Sequence, residues 1–148
     1  MLTGQHSLLS TEMVVDMGQA VNPAIDVAQI EGAFIQGYGY IFMEETLFSP
    51  EELLTRVHNE YNIPSIVDCP SKFNMTLLKS EVRQFLLYSS KGIGEPPLFN
   101  GVSVYFAIKE AVRAARQDAG LTGTFNLRQP TTPENVLKAC EAASPISL

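Results

Sequence analysis

Proline fixes more of this chain's course than any other residue type. Three helix-like patterns each open on one, at Asn22-Pro23, Pro96-Pro97 and Thr132-Pro133. Proline suits the first helical position, because its missing N–H would have no intrahelical partner there anyway. Asn22 ahead of Pro23 is a natural N-cap, so a helix is expected through "NPAIDVAQIEGAFIQGYGYIF". After Pro96-Pro97, the residues Leu98, Val102, Tyr105, Ile108, Val112 and Ala115 recur at spacings of four and three. That pattern predicts a long amphipathic helix, stopped at Gly120. Thr132-Pro133-Glu134 opens a last short helix to about Ala142. Pro50, Pro64 and Pro70 break the middle into loops and short turns. Strands are expected at "TEMVVDMG" (11–18), closed by Gly18, and at "NMTLLKS" (74–80) and "FLLYSS" (85–90). Strands and helices mix without a regular βαβ alternation, which points to the α+β class.

Composition narrows the function classes. The 148 residues suit one domain, and 45% hydrophobic with 18% charged content is that of a globular chain. A formal charge of −6 without a basic run argues against nucleic acid or an anionic membrane as the main partner. Cys69 and Cys140 belong to no CxxC or Cys/His pattern and read as a reduced pair. "MLTGQHSLLS" lacks the basic and apolar regions of a signal peptide. No run approaches the ~20 apolar residues that span a bilayer, so a cytoplasmic protein is expected.

Two stretches invite chemistry. On the first helix, Ile25, Gln29, Gly32, Gln36 and Gly39 share one face, opposite a candidate core of Val27, Ile30, Phe34 and Phe42. Glycine inside a helix costs roughly 1 kcal/mol against alanine, which is tolerated where something must come close to the backbone. One reading is close helix packing. The other has Gln29 donating amide hydrogen bonds to a polar ligand for which Gly32 leaves room. The second stretch is "SSKGIGEPPLF" (89–99). Its Lys91 precedes the glycines, so it is not a Walker loop, and the third glycine of a dinucleotide fingerprint is missing. It sets Glu95 directly before a helix start, where the macrodipole favours an ionised carboxylate. Glu95 is thus a helix-terminus stabiliser or a candidate base. Gly92 and Gly94 let the backbone before it approach a ligand.

Other candidates are weaker. Glu44-Glu45 has no histidine or third acid beside it and reads as surface charge. His6 and His58 stand in polar stretches and read as solvated. Asp16 and Asp26 read as structural, and Ser89-Ser90 lacks a nucleophile elbow.

Three runs, "VNPAIDVAQIEGAFIQGYG" (21–39), "YSSKGIGEPPLF" (88–99) and "TPENVLKACE" (132–141), together resemble the C-terminal part of the molybdopterin-binding region of the molybdenum hydroxylases. These are the xanthine dehydrogenases and aldehyde oxidases. The resemblance covers roughly residues 11 to 143 and leaves residues 1–10 unplaced. It implies that residues 11–148 are the C-terminal part of a molybdopterin-binding domain. It also implies that Glu95, in the GxGE run, is the general base, taking a proton as an aldehyde or N-heterocycle is hydroxylated and the metal gains two electrons. Gln29 would contact the molybdopterin and Ile93 would line it; no residue here is implied as a metal ligand. The family's complete enzymes also carry FAD and two [2Fe-2S] clusters and form homodimers. The closely spaced cysteines that such clusters need are absent here, as are the flavin segment and the earlier molybdopterin segments. The resemblance therefore implies a fragment that works with the remainder of an enzyme chain. "YSSKG" and "AARQDAGLTG" look like aldehyde oxidase, whereas "GEPPLF" is commoner in xanthine dehydrogenase; the balance leans to aldehyde oxidase. The alternatives are a xanthine dehydrogenase-like purine hydroxylase fragment and a non-catalytic truncated product.

Overall fold

The structure, a computed structural model, describes residues 3–79 and 87–141. In chain order its elements are β1 (Ser10–Val15), α1 (Pro23–Phe42), the single-turn α2 (His58–Tyr61), β2 (Lys72–Leu77), α3 (Val102–Asp118) and α4 (Pro133–Glu141). Single 3-10 turns or short runs occupy Ile66–Asp68, Leu87–Ser89 and Pro96–Gly101. The class is α+β, as the sequence predicts. The chain divides into two compact units, one of Ser7–Gly37 with Pro64–Gly101, the other of Met1–His6, Tyr38–Ile63 and Val102–Leu148.

The first unit is built on a parallel pair. β1 and β2 run side by side in the register Ser10↔Lys72 to Val15↔Leu77. Parallel strands need a long crossover between them, and α1 lies in that stretch of chain. Along β2, Phe73, Met75 and Leu77 are half-buried while Lys72, Asn74 and Thr76 face out, the two-residue period of a strand with one covered face. Met13, Met17, Ile30, Ala33 and Phe34 form the buried core of this unit. The ring of Phe34 meets Phe73 edge-on at 5.5 Å. α1 starts where the sequence places it: Asn22 Oδ1 accepts the N–H groups of Ala24 at 3.2 Å and Ile25 at 3.4 Å.

Two expectations are corrected here. Leu87–Ser89 is a helical turn and not a strand, with Tyr88 at φ 51° and Ser89 at φ 58°. A left-handed backbone cannot continue a pleated ladder. The first two residues of that expected strand lie outside the described residues. The helix after Glu95 begins as a 3-10 run over Pro96–Gly101 and becomes α only at Val102.

The second unit is helical. α3 buries Ile108, Val112 and Arg116, and α4 buries Val136 and Ala139. α3 ends as a Schellman motif at Gly120 (φ 73°), with Leu121 N–H bonded to Arg116 O at 2.8 Å and Gly120 N–H to Gln117 O at 2.9 Å. Arg116 donates through Nη1 to Ala139 O at 2.9 Å, tying α3 to the last turn of α4. His6, expected to be solvated, is instead half-buried against this unit's aromatic side chains. Its Nε2 lies 3.0 Å from Tyr38 Oη, and its ring packs on Phe42 at 5.1 Å. Burial pushes its pKa down.

Candidate functional site

The chemistry-bearing residues of the sequence gather in the first unit. α1 turns Gln29, Gly32 and Gln36 outward on one face, all exposed, while Ile30, Ala33 and Phe34 face the core. Beside that face lies an open depression of about 380 Å³ lined by Ala28, Gln29, Gly32, Ala33, Gln36 and Gly94. A Cβ at Gly32 would meet nothing within 4 Å, so this glycine does not serve helix packing; it leaves the floor of the depression clear. Close packing is the work of another glycine. A Cβ at Gly37 would fall 1.9 Å from Leu98 O, so the backbone after Glu95 rests directly on α1. The sequence face omits Gly37 because it points the other way.

The fold, not local spacing, brings Gln29 and Gly94 together from 65 positions apart: a Cβ at Gly94 would sit 3.9 Å from Gln29 Oε1. Glu95 follows on the same loop, exposed, and among the described residues its side chain makes no hydrogen bond or ion pair. Its backbone carbonyl accepts Leu98 N–H at 3.0 Å. Ile93 is half-buried and, like Glu95, is not among the residues that line the depression. The entry to this loop is held by residues that sequence reasoning left as structural or unassigned. Asp16 Oδ2 accepts from Lys91 Nζ at 2.6 Å, and Lys91 N–H donates to Met17 O at 2.9 Å. Seventy-five positions separate Asp16 from Lys91, and no motif spacing signals the pair.

Among the described residues no three histidines, cysteines, aspartates or glutamates group as metal ligands, and Glu44 and Glu45 are both half-buried. Partial burial does push the Glu44 pKa up. Asp26 is buried in the first turn of α1. Cys69 and Cys140 are not joined in a disulfide.

Residues 1–70 match the family model of a molybdopterin cofactor-binding domain. Over 141 residues the chain is 50% identical to xanthine dehydrogenase from Drosophila subobscura, an alignment that takes in 95% of this chain and 10% of that protein. Aldehyde oxidase 1 from Oryctolagus cuniculus is 49% identical over 141 residues, with 95% of this chain and 11% of that one covered. This chain belongs to the molybdenum hydroxylase family. It spans about a tenth of the length of the curated hydroxylases it matches. The fold agrees: quinoline 2-oxidoreductase from Pseudomonas putida 86 superposes with a TM-score of 0.78 at 22% identity, over 95% of this chain and 17% of that one.

The residues present fit the cofactor named by the family model. A flat, polar heterocycle needs a floor without side chains and amide groups at its rim. Gly32 supplies the first, with nothing within 4 Å of its Cβ position, and Gln29 and Gln36 supply the second. Each glutamine offers both a donor and an acceptor.

Proposed function

We propose that this chain contributes the general base and a molybdopterin contact to a molybdenum hydroxylase acting on an aldehyde or an N-heterocycle. In this reading residues 11–148 are the C-terminal part of the molybdopterin-binding domain, and the complete enzyme is a cytoplasmic homodimer that also carries FAD and two [2Fe-2S] clusters. The observation that carries the reading is the meeting of Gln29 with Gly94 beside the cleared face of α1, with Glu95 next in the chain.

When bound, the molybdenum cofactor supplies the two-electron redox chemistry, and the protein supplies binding and orientation. The Gln29 amide, on a helix and therefore rigidly placed, donates to the polar edge of the cofactor. Gly32 lets that cofactor lie against α1, and Ile93 covers it from the loop. The Glu95 carboxylate accepts the proton that the oxygen nucleophile gives up as it attacks the substrate carbon. Glu95 takes part in none of the ion pairs between described residues. General bases of this kind contribute roughly 10²–10⁴-fold in rate.

The test is Glu95→Gln in the complete enzyme. Its amide keeps the size of the carboxylate and cannot take the proton. Hydroxylation should be lost while molybdenum content stays that of the wild type. A variant that still turns over would remove Glu95 from the role.

A further inference from the structure

The loop that carries Ile93 and Glu95 is gripped at both ends and free in the middle. At its entry, three hydrogen bonds join it to the short strap after β1, and a fourth lies within the strap itself. Asp16 Oδ1 accepts Gly18 N–H at 3.0 Å, and Asp16 Oδ2 accepts from Lys91 Nζ at 2.6 Å. Lys91 N–H donates to Met17 O at 2.9 Å, and Gln19 N–H donates to Ser89 O at 2.8 Å. Gly18 sits at φ 72°, and a Cβ there would fall 2.1 Å from Ser89 O, so the two backbones touch. At the exit, Leu98 O rests on Gly37. Between the grips stand Gly92, Ile93, Gly94 and Glu95, followed by Pro96 and Pro97, and a Cβ at Gly92 would find nothing within 4 Å.

Two glycines make such a loop compliant. The placement of Glu95 must therefore come from the grips. The entry is also the most distorted stretch of the unit, with Tyr88 and Ser89 both in the left-handed region. Consecutive non-glycine residues hold that conformation only where surrounding contacts over-determine it. The Asp16–Lys91 pair is a third or so exposed on each side, and a surface pair of that kind adds little to global stability. What it does is fix the lysine side chain along the strap, so that Asp16 holds Gly18 and the loop entry with its two oxygens.

We propose that Asp16 and Lys91 are positioning residues for Glu95, acting through the backbone of 89–95. The proposal rests on the reading of Glu95 as general base, and the variants separate the two. Misplacing a reacting group by about 1 Å costs on the order of 10²-fold in rate. Asp16→Asn and Lys91→Met in the complete, molybdenum-loaded enzyme are therefore expected to lower kcat roughly 10- to 100-fold. KM and molybdenum content should stay within about twofold of wild type, because uniform binding is untouched. The double variant should be no slower than the slower single, since each removes the same link. Lys91→Arg, which keeps the charge, should stay within about threefold. Hydrogen exchange gives a readout without turnover: the amides of Gln19 and Lys91 should exchange faster in Asp16→Asn, with or without cofactor. Lys138→Met, which breaks the exposed Glu134–Lys138 pair of α4, is the control and should change neither kcat nor these amides. Full kcat in Asp16→Asn beside an inactive Glu95→Gln overturns the positioning role alone. So does a loss seen only as lost molybdenum or raised KM. Turnover retained in Glu95→Gln overturns the base reading and, with it, the positioning role that rests on it.

Discussion

Gly32 and Gly37 lie five residues apart on α1, and the structure gives alanine opposite effects at the two positions. On intrinsic propensity both substitutions gain up to about 1 kcal/mol, since alanine is the better helix former. At Gly32 nothing opposes that gain, because the new methyl meets nothing within 4 Å. At Gly37 the methyl would lie 1.9 Å from Leu98 O, and restoring an ordinary 3.4 Å contact means a retreat of about 1.5 Å. The carbonyl cannot swing away cheaply, because Leu98 N–H is bonded to Glu95 O and the 3-10 run surrounds it. Overpacking of this kind costs about 1–3 kcal/mol, so Gly37→Ala should be destabilising by about 1–2 kcal/mol net. With a urea slope of about 1.5 kcal/mol/M, its midpoint should fall by roughly 1 M, and that of Gly32→Ala should rise by up to about 0.7 M. Urea titration followed by far-ultraviolet circular dichroism measures both. Gly32→Ala should also reduce cofactor occupancy despite its greater stability, since its methyl stands on the floor of the depression. Midpoints that move in the same direction would refute the assignment of one glycine to packing and the other to clearance.

Two further perturbations probe the helical unit. Arg116→Met keeps the aliphatic stem but leaves Ala139 O without its charged donor and removes the cation 5.3 Å from the Phe125 ring. The expected cost is about 2–3 kcal/mol. A chain of this size should then melt roughly 6–10 °C lower, and a thermal scan within about 2 °C of wild type would contradict it. His6 gives a pH signature. Burial lowers its pKa in the folded state, so the unfolded chain binds its proton first and stability rises with pH. Stability should be level above about pH 6.5 and decline as the pH falls from there. His6→Phe should flatten that decline, as read from urea midpoints between about pH 7.5 and 5.

How much of this was legible in advance depends on the range of the interaction. Asn22-Pro23 and Thr132-Pro133 set helix starts that the structure keeps within a residue, because caps and proline act on their own backbone. The stop at Gly120 is equally local, a left-handed residue that only glycine adopts readily. Pro96-Pro97 promised an α-helix and delivered a 3-10 run first, since Leu98 O is held down by Gly37 from a distant part of the chain. The Leu87–Ser89 turn replaced an expected strand for the same kind of reason: Ser89 O is held by Gln19 N–H, seventy residues away.

The sequence by itself determined the helix boundaries, the Gln29–Gly32–Gln36 face and the glycine-flanked Glu95, because periodicity, capping and motif are short-range properties. Only the tertiary structure decided which glycine of α1 clears a ligand and which carries the loop. It alone turned His6 inward against Tyr38 and Phe42, and joined Asp16 to Lys91. Those outcomes depend on what stands opposite each residue after the chain has closed, and one-dimensional spacing carries no record of that.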